Sequence, residues 1–305
     1  MESPLAAFAR ELSSLAERTA PAVVAVHGRR HAHSSGVHWR TDLVVTADHT
    51  LRRDEDITVS AATGAESAAT LVGRDPGTDI ALLKIEGLAA PAAQHGGAPP
   101  PAVGDLALVI GRSPNSGTNA SMGMIGAVSG PWRTWRGGEL DAYIRLDANV
   151  FAGSSGGAVV DLKGSVTGIA TTALSRVAGL AIPASTVNRV VDQLLARGSV
   201  PRPYLGVSLH AVPMPQQFRT KFAVEGSHGI MILEVEPQGP ADRGGILGGD
   251  IVLELEGKSV GAVEDVQSAL GWDTVGKPVR LKLIRGGELK EATVTVGERS
   301  RSSAS

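Results

Sequence analysis

Residues 153–169 read GSSGGAVVDLKGSVTGI: two adjacent serines in a nest of glycines, then two apolar runs separated by a polar turn. Glycine-rich stretches commonly serve only tight turns or positive φ angles. On its own, GSSGGA therefore fits a surface loop as well as it fits a reactive serine. The runs that follow, GAVVDL and SVTGIAT, are short and rich in Val, Ile and Thr, as strands are. Working outward in both directions, the same texture recurs in AVVAVHG, LVVTA, DITVSA, ATLVG, IALLKI, DLALVIG, AYIRLDA and GLAIP. Gly, Pro and Asp/Asn clusters separate these runs. Many short strands joined by turns predict a mostly β domain, a barrel or a sandwich.

A chain of 305 residues has room for two domains. Aromatic residues are only 3%, so the cores must be built from Val, Leu, Ile and Ala. The 31 acidic and 29 basic residues nearly cancel, which gives no electrostatic case for nucleic acid or an anionic membrane as partner. The lack of cysteine excludes disulfides, thiol catalysis and cysteine metal sites. No metal or cofactor is expected. Residues 1–20 place Leu5, Phe8, Leu12 and Leu15 on one helical face, suited to docking on the next domain or to an oligomer contact. They carry charges at Glu2, Arg10, Glu11, Glu17 and Arg18, and no unbroken apolar segment, so they do not read as a signal peptide. No run approaches the roughly 20 apolar residues of a membrane span. These features together predict a cytoplasmic chain without a membrane span.

The strand pattern runs over 21–198 and closes with ASTVNRVVDQLLARG, a helix with Ser185 or Thr186 as its N-cap and Gly198 after its last turn. Residues 199–203 form a connector stiffened by Pro201 and Pro203. A second, smaller β-rich domain follows over 204–298, interrupted by the helical stretch AVEDVQSALGW, and 299–305 read as a disordered tail.

Three groups in the first domain suit serine-based hydrolysis, which needs a base, a group orienting the base, and donors for an oxyanion. His49 stands at a strand end in LVVTADHTL, Asp79 precedes an apolar strand in GRDPGTDIALLKI, and the serines lie in GSSGGA. The order His, Asp, Ser is that of chymotrypsin-like double barrels. With their surroundings, these segments resemble the HtrA (DegP-like) family of trypsin-fold serine proteases. VVTADH matches the family's strand-Thr-x-x-His, and DPGTDIALLKI is nearly its aspartate motif. GSSGGAVVDLKGSVTGI parallels its Gly-Asn-Ser-Gly-Gly-Pro stretch, and the run GLAIPASTVNRVVDQLLARGSVPRPYLGV is similar to its closing helix and entry into a PDZ domain.

The resemblance implies a mostly β chymotrypsin-like double barrel followed by a small PDZ domain with one or two helices. It implies Ser155 as nucleophile, His49 as general base and Asp79 as the group orienting it. The N–H groups of Gly153, Ser154 and Ser155 become the oxyanion donors. Asn149 and Val150 would floor the S1 pocket, with Thr172 and Leu180 as walls, and no acid stands there to select Lys or Arg. In the second domain, Tyr204, Leu205, Gly206 and Val207 would hold a peptide C-terminus by β-augmentation. Val263, Val266 and Leu270 would share one helical face across the groove.

His27, His31, His33 and His38 read as members of a solvated loop rather than a metal site. Asp48 reads as a surface-facing neighbour of His49. Ser154 and Ala158 depart from the family's Asn and Pro, and GRSPNSG replaces its Gly-Asn-Pro-Phe-Gly turn. The implied activity is ATP-independent cleavage of unfolded or misfolded polypeptides, by a homotrimer whose PDZ domain binds C-terminal peptides. An inactive peptide-binding or chaperone-like protein on the same fold is the alternative.

Overall fold

The computed structural model describes residues 3–299 apart from 29–32, 97–98, 223 and 225. His31 and the tail from residue 300 lie outside the described residues. The chain divides into two compact units, Met1–Val200 and Pro201–Ser305.

The first unit opens with helix α1 (Pro4–Thr19). The Ser3 hydroxyl accepts the Ala6 N–H and Pro4 occupies the first turn, a standard start signal. Leu15 is buried and Leu12 packs beside it, while Leu5 and Phe8 at the other end are exposed. Six strands then close a barrel: β1 (Val23–His27), β2 (Ser34–Arg40), β3 (Leu43–Ala47), β4 (Ile57–Ser60), β5 (Glu66–Asp75) and β6 (Ile80–Lys84), in the order β1-β2-β3-β6-β5-β4. The next strands are β7 (Leu106–Ser113), β8 (Gly117–Ser129), a small ribbon of β9 (Trp132–Arg133) and β10 (Glu139–Leu140), β11 (Tyr143–Asp147), β12 (Ala158–Asp161), β13 (Val166–Thr171) and β14 (Leu180–Pro183). Apart from the ribbon they close a second barrel in the order β11-β14-β13-β12-β7-β8.

The strands read as nearly continuous apolar runs because both faces are buried. Val24, Val44, Val59 and Leu83 fill the first barrel, and Val109, Ile144, Val159 and Ala170 fill the second. Their strand neighbours Val23, Val45, Leu82, Ile110, Val160 and Ile169 point the other way into one shared cluster. Helix α2 (Ala184–Arg197) lays Val187, Val190, Val191 and Leu194 on the same cluster. Its N-cap is Pro183, so Ser185 and Thr186 lie inside the helix instead of capping it. Thr186 is engaged elsewhere, accepting the Asp141 N–H. Gly198 ends the helix in left-handed conformation, with φ of 69°.

The second unit contains β15 (Pro203–Tyr204), β16 (Val207–Pro213), α3 (Gln216–Phe222), β17 (His228–Val235), α4 (Pro240–Arg243), β18 (Ile251–Leu255), β19 (Lys258–Ser259), α5 (Val263–Ala269), β20 (Pro278–Arg285), β21 (Glu288–Thr295) and β22 (Gly297–Glu298). Its main sheet runs β16-β17-β18-β20-β21, with β19 paired to β18, while β15 pairs with β22. Strand β16 is therefore an edge. The short helices α3 and α4 accompany the segment read as helical from the sequence. Asp250, almost fully buried, receives two bonds from the Arg285 guanidinium at 2.8 and 2.7 Å.

Candidate active site

His49 sits in the 3-10 turn Asp48–Thr50 that ends β3. The Thr50 hydroxyl donates to Ala47 O, and the Asp48 N–H donates to Asp79 O at 3.1 Å. Asp79 lies just before β6 with φ of 59°, a left-handed setting that aspartate tolerates better than most residues. The preceding DPGT stretch owes its turn to Asp75, whose carboxylate accepts the N–H groups of Gly77 and Thr78 and the Thr78 hydroxyl. The Asp79 carboxylate is fully enclosed. It lies 3.0 and 2.9 Å from His49 Nδ1, accepts the His49 backbone N–H at 2.8 Å and also accepts the Thr171 hydroxyl.

Backbone contacts build the serine turn, among them the Gly157 N–H donating to Ser154 O at 2.9 Å. The Ser154 N–H donates to Phe151 O at 2.9 Å, and Gly153 at the third position has φ of 87°. An i→i+3 bond with positive φ only at the third residue is a type II turn, for which glycine is the favoured residue. The Gly156 N–H donates to Ala170 O at 2.8 Å, and Ser35 N–H donates to Ser155 O at 3.1 Å. A Cβ on Gly156 would lie 2.1 Å from Ser35 O and 2.8 Å from Ala47 N, so only glycine lets the turn rest on the strand leading to His49. Ser155 Oγ lies 3.3 Å from Thr172 Oγ1, one residue from the threonine that bonds Asp79. The fold thus brings the three sequence segments together.

The turn revises the oxyanion assignment. Ser154 cannot offer its N–H, because that group closes the turn onto Phe151 O. Among the described residues, the N–H groups of Gly153 and Ser155 have no intramolecular acceptor. The Ser154 hydroxyl donates to Asn119 Oδ1 at 2.8 Å, so strand β8 supplies the amide absent from position 154.

The expected S1 residues separate. Asn149 and Thr172 are exposed, and Val150 packs over Gly179. Leu180 is not a pocket wall: it is buried in the cluster shared by the barrels, since its place in β14 turns it inward. Asp48 does not face the surface either. It is 4% exposed and bonded to the Arg74 guanidinium, which also reaches Asp48 O, Leu51 O and Asp54. Arg74 draws the carboxylate inward because an exposed Asp48 would leave that guanidinium without its nearest counter-charge.

The histidines part company as well. His27 bonds Ser60, and His38 Nδ1 bonds Ala90 O. His33 is half-buried against the serine turn, where a Cβ on Gly153 would come within 2.9 Å of its Nε2. Burial, and then the neighbouring His27, hold the His33 imidazole below its ordinary range. Thr171, Ser35 and Asn119 escaped sequence reading, since none carries a motif of its own.

In the second unit, Leu205 is buried and its C=O accepts the Ala241 N–H, while Gly206 C=O accepts the Glu236 N–H. Gly206 has φ of 75°, and the Tyr204 hydroxyl donates to Glu236 at 2.9 Å. Val207 and Leu209 of β16 line a small apolar cavity with Leu205 and Val266 of α5. Val263 is half-buried in the first turn of α5. Leu270 is the C-cap of α5 and packs in the same core cluster as Val266.

Residues 34–169 match the trypsin-like peptidase domain family, and residues 203–296 match the PDZ domain family. The serine endoprotease from Yersinia pestis superimposes with a TM-score of 0.76 and 30% identity, over 94% of this chain and 98% of that one. The HtrA-type protease AlgW, solved with a tripeptide, gives a TM-score of 0.76 at 30% identity, over 94% and 97% of the two chains. The chain belongs to the HtrA family.

A curated HtrA relative, the probable periplasmic serine endoprotease DegP-like of Halomonas elongata, is 33% identical over 260 residues, covering 84% of this chain and 54% of the relative. The chain spans about half the length of the curated relatives it matches. Such HtrA relatives are named periplasmic, and this overturns the cytoplasmic expectation. That expectation rested on the opening residues, of which Pro4–Thr19 form α1 of the first unit. Among the described residues, no helix is long and apolar enough to cross a membrane.

Proposed function

We propose that the chain is an ATP-independent serine endopeptidase cleaving unfolded or misfolded polypeptides. The observation that carries the reading is the enclosed Asp79 carboxylate on His49 Nδ1 at 2.9 Å, together with Ser155 placed directly after the Phe151–Ser154 turn. Ser155 is the nucleophile and His49 the base that takes its proton. Asp79 fixes the imidazole tautomer and stabilises the imidazolium. The Gly153 and Ser155 N–H groups receive the oxyanion of the tetrahedral intermediate. Asn149, Val150 and Thr172 border the S1 side and favour a small apolar P1 residue.

The PDZ unit binds peptide C-termini along the free edge of β16 and regulates cleavage. Its N–H groups at Leu205–Val207 hold the carboxylate, and Val207, Leu209 and Val266 face the last side chain. The AlgW structures with a tripeptide and a decapeptide support a peptide as partner of the chain. The working assembly is a homotrimer, with Leu5 and Phe8 of α1 as exposed contact residues.

A fluorophosphonate probe tests the catalytic reading. Wild type is expected to be labelled at Ser155 and Ser155→Ala to remain unlabelled. Absence of label on wild type, with or without a PDZ peptide, would sink the enzyme reading.

A further inference from the structure

The glycine-rich segment that carries Gly153 and Ser155 is held from outside by one buried serine. Ser35 on β2 is fully enclosed. Its Oγ accepts the Arg112 backbone N–H at 2.9 Å and donates to Gly153 O at 2.7 Å. A hydroxyl has a single proton, and the alternative acceptor, Arg112 O, is 3.5 Å away, so Gly153 takes it. The same residue's N–H donates to Ser155 O. One serine therefore grips the turn on both sides of Ser154.

Strand β7 is shaped to allow this. A Cβ on Gly111 would lie 2.8 Å from Asn119 Oδ1, 2.8 Å from Ser154 Oγ and 2.9 Å from Ser35 Oγ. Three polar side chains thus converge where residue 111 has none. Arg112, which anchors Ser35 through its N–H, is itself fixed. Its guanidinium donates to Val23 O at 2.5 Å, Ala20 O at 2.8 Å and Thr118 Oγ1 at 3.1 Å. The chain from the α1–β1 junction through Arg112 and Ser35 to Gly153 is continuous.

We infer that Ser35 is a positioning residue for the oxyanion donors, acting through the Gly153–Ser154 peptide. The inference rests on the serine-hydrolase reading of Ser155. With Gly153 O held by Ser35 and Ser154 N–H held by Phe151 O, that peptide is pinned at both ends. The N–H groups on either side of it keep their separation and direction. Loss of the hydroxyl frees the peptide to rock, which weakens contacts to the oxyanion more than contacts to bound substrate.

The test compares full-length wild type, Ser35→Ala and Ser35→Cys. Cysteine keeps a side-chain X–H group at that atom, larger than the hydroxyl and a weaker donor, and the chain holds no other thiol to pair with it. Three quantities are read: kcat and KM on a fluorogenic peptide, the rate of fluorophosphonate labelling, and the Ki of a peptidyl trifluoromethyl ketone that forms a tetrahedral adduct. The expected result for Ser35→Ala is a fall in kcat of about tenfold or more, KM nearly unchanged, and Ki raised by a similar factor. Ser35→Cys falls between alanine and wild type, and it carries the comparison if alanine does not fold. Unchanged kcat and Ki, or a loss of kcat without a rise in Ki, would overturn the inference. Wild type that fails to label overturns the hydrolase reading and this inference with it. Wild type that labels at the same rate as Ser35→Ala overturns this inference alone.

Discussion

The carboxylate of Asp79 holds His49 at two points, the imidazole Nδ1 at 2.9 Å and the backbone N–H at 2.8 Å. Orientation of the ring and position of its turn are therefore tied to one side chain. Asp79→Asn keeps the shape and tolerates the left-handed backbone, but presents an amide donor to a ring nitrogen that must itself donate. The expected outcome is a fall in kcat of about 10⁴-fold with the fold intact. Steady-state kinetics beside far-ultraviolet circular dichroism checks it, and a loss of less than tenfold would contradict the role.

Arg74 and Asp48 form a second pair one residue away, with the Asp48 carboxylate buried. Removing only the cation strands a buried carboxylate and frees the carbonyls of Asp48 and Leu51. Arg74→Met is expected to destabilise the first unit by about 3–5 kcal/mol, and Asp48→Asn by clearly less. Urea titrations of both variants measure the difference. Equal losses would show that the ion pair is not what holds the turn.

His33 is expected to make the protein sensitive to mild acid. Its folded-state proton affinity is depressed, so on acidification the unfolded chain takes up the proton first. Stability from this group is complete above the ordinary imidazole value of about 6.5 and is lost as pH falls through the lower folded value. Wild type should lose more thermal midpoint between pH 7.5 and roughly 5.5 than His33→Gln does. Parallel pH profiles for the two proteins would remove His33 as the cause.

The proposed peptide role of the PDZ unit places a chain end at the edge of β16 and the backbone of Leu205–Val207. A peptide with a free C-terminal carboxylate should bind, and the same peptide amidated should lose about tenfold or more in affinity. Fluorescence anisotropy with both peptides decides. Equal affinities would move the ligand away from this loop.

The motifs that sequence made readable are those in which neighbouring residues act on one another. DPGTD is one such case, because Asp75 bonds the two N–H groups that follow it. The glycines of GSSGGA are another, since φ angles are local. The assignments of Leu180, Asp48 and Ser154 went astray for a common reason. Whether Leu180 faces a pocket depends on which barrel face β14 presents. Asp48 turns inward because Arg74, on a different strand, waits there. Asn119 replaces a missing amide from 35 residues away. Partners set by topology leave no trace in the residues beside them.

The buried guanidinium of Arg112 also bears on where the chain tolerates cutting. Among the described residues its partners are the carbonyls of Ala20 and Val23 and the Thr118 hydroxyl, with no carboxylate, so there its charge meets dipoles. Burial holds its proton affinity below the ordinary arginine value. Trimming the N-terminus past Ala20 takes away one of those dipoles and opens a path for water toward β7. A shortened first unit beginning at β1 would thus carry a damaged joint beside the Ser155 turn, even with His49, Asp79 and Ser155 in place.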